Sequence, residues 1–532
     1  MVQNIESNEK HNLIKSNIET PIENDDGGAV RGASFLIAVQ FSTKLFTFAL
    51  NQILVRFISP EIFGVSAYLE FIVSTILFFS REGIRVAVQR LSLDEDHDHN
   101  NKQTLNSSKF YQSIINLGFL PIFISVPITL LLIVWQVLYG GLKSGLLGFT
   151  YHNYTLSVLG ISLLSELLVE PIYLLNQFLL NFKRRSQIEG LAIFGRCVAT
   201  FLSIVFVNTL ELDSKDFSGA AIISFAIGQL TYSLTLLIGY LMVFFLENVK
   251  SPDRKDLKLS IQKITYESNE YFYFHPKAMK TWSNLFTQMI FKQLLTEGDK
   301  FLVNYFFTIG EQGVYSVMSN YGSIAARLIF QPIEESIRLL FSRSLSSSVN
   351  KQNNVEDSFT TMRLVSLFYF NLSILIILSG TTNASFLLSI VLGRGGTSKW
   401  HGSNIFDLFP QYVAYLPFLA FNGIFEAIFS SIATNSEIRK FSVFMTTLTI
   451  TCLAVSYILI EHLNFGLSGL IISNALNMTM RIGYCAIKIK KYYEGFNIKI
   501  SAQETYDILQ NTEDFIILDL DFDNDDIFFM YI

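Results

Sequence analysis

Apolar residues run along this chain in long stretches, broken by shorter polar ones. A helix crossing about 30 Å of hydrocarbon needs roughly 17–25 mostly apolar residues at a rise of about 1.5 Å each. Stretches of that kind occupy 33–57, 62–80, 112–137, 155–180, 188–208, 217–246, 283–307, 313–341, 363–380, 408–434, 441–461 and 465–487. They predict an all-α, polytopic membrane protein of about twelve transmembrane helices. The seventh stretch is interrupted by Lys292, Glu297, Asp299 and Lys300, and the ninth is followed by a further apolar run at 383–392.

Lys and Arg are unevenly shared between the connections. The side that holds the N-terminal tail carries 27 of them and the opposite side 4. Basic loops stay in the cytosol, so both termini are expected there. On this reading the chain consists of a cytosolic tail (1–32), a six-helix lobe (33–246), a basic cytosolic linker (247–282), a second six-helix lobe (283–491) and an acidic cytosolic tail (492–532). The first 32 residues are polar and contain no apolar h-region, so targeting is expected to fall to the first span.

The two lobes repeat one another. Residues 82–90 read EGIRVAVQR and residues 335–343 read ESIRLLFSR, both fitting E-x-I-R-x4-R. Upstream, Glu61, Gly64 and Val65 match Glu311, Gly313 and Val314. Near the end of each lobe, Ser218, Gly219, Ile222, Ile223 and Ser224 match Ser468, Gly469, Ile471, Ile472 and Ser473. Matches in one order at nearly one offset indicate an internal duplication. Six helices per repeat return the chain to its starting side, so the repeats are parallel, a transporter design with a central cavity between two six-helix bundles.

Composition agrees. Half of the 532 residues are hydrophobic and 16% are charged, against about a quarter charged in soluble domains. Cys197, Cys452 and Cys485 lie in apolar stretches and suggest neither disulfides nor a metal site. His97 and His99 belong to an acidic, Asn-rich loop. The sequence holds no G-x4-G-K-[ST] phosphate loop, so ATP is not expected as the direct energy source. Nucleic acid, metals and cofactors are not expected either.

Charged residues inside spans cost about 2.5–3.5 kcal/mol each at mid-bilayer and need a reason. Lys44, Glu70 and Glu166 fall near mid-depth. Glu170 is one turn from Glu166 and precedes Pro171. Arg327, Arg481 and Glu426 lie in later spans. Lys44 is expected either to pair with Glu70 or Glu166, or to offer a cationic spot in a water-filled cavity. Glu82 with Arg85, and Glu335 with Arg338, are three residues apart and are expected to pair locally. Ordinary cytosolic anchoring explains basic residues at span ends. The repeated spacing further suggests a collar of Arg85, Arg90, Arg338 and Arg343, whose guanidinium forks suit a pyrophosphate. Lys183, Arg184 and Arg185 read as a cytosolic anchor. Asn153 and Asn383 lie in sequons on the non-cytosolic side and are candidate glycosylation sites.

The stretch FSTKLFTFALNQILVRF (41–57), followed by SPEIFGVSAYLEF (59–71) and FFSREGIR (78–85), resembles the eukaryotic oligosaccharide-lipid flippase family, as do EGDKFLVNYF (297–306) and QPIEESIR (331–338). The resemblance covers about 33–491. It implies membership of the multidrug, oligosaccharidyl-lipid and polysaccharide exporter superfamily. It also implies translocation of dolichyl-pyrophosphate-linked oligosaccharide in the endoplasmic reticulum membrane for protein N-glycosylation. Membrane lipids and the glycosylation machinery would be its partners. Lys44, Arg56, Glu70, Arg81, Arg85, Arg90, Glu297, Lys300 and Arg338 are the matching positions to mutate first. A non-transporting accessory of N-glycosylation and a cation-coupled small-molecule exporter remain the alternatives.

Overall fold

The computed structural model describes residues 46–91, 107–138, 146–179, 181–250, 254, 257–265, 271–346, 351–393, 399–496 and 498. Within them the chain is a succession of helical rods. These are α1 (46–57), α2 (Pro60–Gln89), α3 (Ser107–Leu138, broken at Phe119), α4 (His152–Phe178), α5 (Phe182–Thr209), α6 (Ser214–Lys250), α7 (Pro276–Phe306), α8 (Ile309–Ser346), α9 (Lys351–Leu392), α10 (Ile405–Ile432), α11 (Asn435–His462) and α12 (Gly466–Glu494). A two-residue-per-strand hairpin, β1 (Ile264–Thr265) and β2 (Tyr271–Phe272), precedes α7.

Eight of these rods, α2 to α6 and α9 to α11, are long and apolar enough to cross a membrane. The protein is therefore a multi-pass helical membrane protein. The other four do not meet that measure. The described part of α1 is short. In α7, Glu297, Asp299 and Lys300 lower the hydropathy, as do the polar residues Asn474, Asn477 and Arg481 in α12.

The start of the second rod in each half is set by its sequence. Ser59 is extended, its hydroxyl accepts the Ile62 amide, and Pro60 occupies the first helical turn. Thr308 starts α8 the same way, in a reciprocal capping box with Glu311. Each of these rods also contains a π-helical turn, Phe78–Glu82 in α2 and Ala326–Phe330 in α8. Packing repeats as well. α6 lies along α5 and α4, as α12 lies along α11 and α10, and α3 meets α4 as α9 meets α10.

The ninth rod runs on through Ile376–Gly380 and Thr381–Leu392. Asn383 therefore lies in a helix rather than in the expected loop. The apolar run Phe386, Leu387, Leu388 carries the helix past the sequon.

The chain divides into two compact units. One comprises 1–290 with 391–401, the other 291–390 with 402–532. In the first, the segment after α6 is docked rather than loose. The Gln112 amide of α3 donates to the carbonyls of Lys258 and Ser260, and that of Asn116 to Gln262 and Tyr273. His275 packs edge-on against the rings of Phe110 and Phe272. Gly118 lets α3 touch α4 at Pro171, where an added Cβ would lie 2.2 Å from the Pro171 Cα. Val391, Lys399 and Trp400 meet the α1–α2 corner. The buried Trp400 indole donates to the Val55 carbonyl, and Lys399 donates to that of Phe57. In the second unit, Phe341, Tyr369, Ile424, Phe429, Cys485 and Tyr493 form the core of α8 to α12.

Candidate functional site

In the first unit, α2 directs Arg81 and Arg85 at two carboxylates one turn apart on α4. Arg81 Nη1 donates to Glu166 Oε1 at 2.8 Å and lies 3.4 Å from Glu170 Oε1. Arg85 grips Glu170 with both faces of its fork, Nε to Oε2 at 3.0 Å and Nη2 to Oε1 at 2.5 Å. Its guanidinium also sits 3.8 Å from the centre of the Tyr173 ring, against which Arg185 packs at 5.0 Å. Gln229 of α6 reaches the second oxygen of Glu166. The Glu166 and Glu170 side chains are only 4% and 1% exposed. Such carboxylates are tolerable only because every oxygen faces a cationic or amide donor. The space left among these side chains, Glu189 and Tyr232 is about 40 Å3, room for little more than water.

This arrangement differs from the expected local pairs. Arg85 pairs across to α4 and not with Glu82. A carboxylate as buried as Glu170 would otherwise be left uncompensated, so it outcompetes the half-buried Glu82 on the same helix. In the second unit Arg338 pairs with Glu334 at 2.9 Å, four residues back, while Glu335 accepts from Gln331. Glu70 pairs with Arg196 of α5 at 3.0 Å, so neither Glu70 nor Glu166 depends on Lys44 as a partner. Lys44 lies outside the described residues, as do the side chains of Arg327 and Arg343.

The remaining predicted residues are dispersed. Arg90 is exposed at the end of α2. Arg56 donates from Nε to the Val391 carbonyl at 2.8 Å. Glu297 and Lys300 pair one turn apart on α7 at 2.6 Å. Asn153 is exposed in the first turn of α4, and Asn383 donates to the Ser379 carbonyl.

The second unit holds a polar cavity of about 320 Å3, whose lining includes Asp299, Thr449, Ser456, Asn474, Asn477 and Arg481. The buried Tyr315 hydroxyl donates to the Asp299 carboxylate. Arg481 Nη2 donates to Glu426 Oε2 at 2.6 Å. In the sequence Arg481 and Glu426 stand out only as separate charges, and the roles of Arg196, Tyr173, Gln229 and Tyr315 emerge only in the structure. Arg196 carries a signal that could have found it, a charge in the middle of an apolar span. The other three are ordinary residues whose roles arise only from their neighbours. Among the described residues no group of three His, Cys, Asp or Glu side chains is placed to hold a metal.

A family profile described as Rft protein matches residues 28–519. The Man(5)GlcNAc(2)-PP-dolichol translocation protein RFT1 of Candida albicans is 46% identical over 90% of this chain and 84% of its own length. The protein of the same name from Saccharomyces cerevisiae is 37% identical over 90% of this chain and 86% of its own. Among solved structures, the lipid II flippase MurJ in an inward closed conformation matches with a TM-score of 0.50. The match covers 92% of this chain and 94% of MurJ at 14% identity, a likeness of fold.

Proposed function

Because the chain belongs to the Rft protein family, we propose that it carries a dolichyl-pyrophosphate-linked oligosaccharide from the cytosolic to the lumenal leaflet of the endoplasmic reticulum membrane. It is a transporter, not an enzyme, and the lipid it moves serves protein N-glycosylation. The observation that carries this reading is the extent of the likeness to relatives named for that translocation, which spans nine-tenths of the chain. A helical membrane fold with polar groups held at span depth supports it, since a hydrophilic head group must cross hydrocarbon out of contact with lipid. Both termini face the cytosol, and transport proceeds by alternating access.

The pyrophosphate needs guanidinium donors that are open. Arg85 has its fork occupied by Glu170. The exposed candidates are Arg90 in the first unit and, in the second, Arg338, which gives one Nη to Glu334 and stays half exposed. Arg343 and Lys44, which lie outside the described side chains, remain candidates from the sequence alone. The glycosylation machinery is the partner that receives the product.

The test is reconstitution of the full chain into liposomes with the authentic lipid-linked sugar, following its appearance in the opposite leaflet. Wild type accelerates exchange well above empty liposomes, and Arg90→Glu with Arg338→Glu slows it at least tenfold. Exchange no faster than in empty liposomes, with correctly folded protein, would leave an accessory role in its place.

A further inference from the structure

Glu70 and Arg196 stand apart from every other ion pair discussed above. Glu70 lies ten residues into α2 and Arg196 twelve beyond Arg184, the start of the apolar part of α5. At about 1.5 Å per residue both are roughly 15–18 Å deep, near the middle of the hydrocarbon layer. Yet the Glu70 side chain is 61% exposed and that of Arg196 35%, whereas Glu166 and Glu170 at comparable depth are sealed. Asn51 of α1 is also exposed and lies near Cys197, the chain neighbour of Arg196. Beside them the rings of Phe46 and Phe194 stack at 5.5 Å, with Phe46 half exposed.

An open ion pair at mid-depth cannot face acyl chains at a cost of about 2.5–3.5 kcal/mol per charge. It faces water or a polar ligand. Its chemistry narrows the ligand. The carboxylate and guanidinium cancel, so the cluster has no net charge to hold a pyrophosphate. What it offers is a planar acceptor, a planar five-donor fork and an amide that does both, with an aromatic surface alongside. That set matches a neutral polyhydroxyl compound, whose hydroxyls each donate and accept and whose ring faces are apolar.

We propose that Glu70, Arg196 and Asn51 form a carbohydrate subsite that grips the glycan, separate from the arginines that meet the pyrophosphate. This inference rests on the transport reading above and gives its head group a second point of contact.

Binding of the free Man(5)GlcNAc(2) glycan, released from its lipid, to the full chain in detergent tests it by saturation-transfer NMR. Wild type gives transfer to the sugar protons. Glu70→Gln and Arg196→Gln weaken binding at least tenfold. Asn51→Leu, which leaves the ion pair intact, weakens it several-fold with an unchanged thermal midpoint. That last variant separates a sugar contact from a helix staple. Unchanged binding in all three variants overturns the subsite, and so does wild type that binds no glycan. A wild type that binds the glycan yet moves no lipid in liposomes removes the transport reading and leaves the subsite standing.

Discussion

The α2–α4 cluster of the first unit and the polar cavity of the second treat charge in opposite ways. In the first unit, Arg81, Arg85, Glu166 and Glu170 fill their own space and leave about 40 Å3. In the second, charged and amide groups line about 320 Å3. The duplicated E-x-I-R-x4-R segment shows how they diverged. In the first half its arginine crosses to a carboxylate on α4. In the second, Arg338 stays on its own helix with Glu334, which lies against Gly423 of α10, where an added Cβ would be 2.7 Å from its Oε2. The α2–α4 cluster of the first half is sealed, while its Glu70–Arg196 pair and the cavity-lining groups of the second half stay accessible.

The contrast can be broken by single changes, each read as the thermal midpoint of the full chain in detergent. Arg85→Ala leaves Glu170 buried with one distant partner and should cost about 3–5 kcal/mol. Replacing Arg85 and Glu170 together by Met should recover most of that loss, because no charge is then stranded. Arg481→Ala should cost less, about 1.5–3 kcal/mol, since water entering the cavity solvates Glu426. Tyr315→Phe removes one hydroxyl donor from Asp299 and should cost about 1–2 kcal/mol. Arg338→Ala should cost under about 1 kcal/mol and lose even that in high salt. Equal losses for Arg85→Ala and Arg338→Ala would abolish the distinction between a sealed and an open half.

Much of the architecture was legible because membrane burial writes it in long apolar runs, basic loops and repeated motifs. Eight rods satisfy the apolar measure, and the weakest expectations fell on α7 and α9, where charges or an extra apolar run blur the pattern. The site was less legible. Glu166 and Glu170 were recognisable as costly charges within a span, and Arg81 and Arg85 as basic residues at a span end, but their pairing depends on how α2 and α4 face one another. Spacing along one helix suggested Glu82 for Arg85. Burial of Glu170 decided otherwise, and burial is a property of the assembled bundle. Tyr173 and Gln229 carry no sequence signal at all, because their usefulness lies wholly in what stands beside them.

The π-helical turn at Phe78–Glu82 has a consequence for direction. In an unbroken α-helix, the eleven-residue step from Glu70 to Arg81 makes just over three whole turns, so the two side chains would point within about 20° of one another. Instead Glu70 looks to α5 and Arg81 to α4. A π-helical turn holds more residues per revolution than an α-helical one, so it shifts the direction of the side chains within and beyond it. The turn works as a phase shifter between an open upper face and a sealed lower one. Deleting a single residue within Phe78–Glu82 would swing Arg81 and Arg85 off α4 without altering any residue they touch.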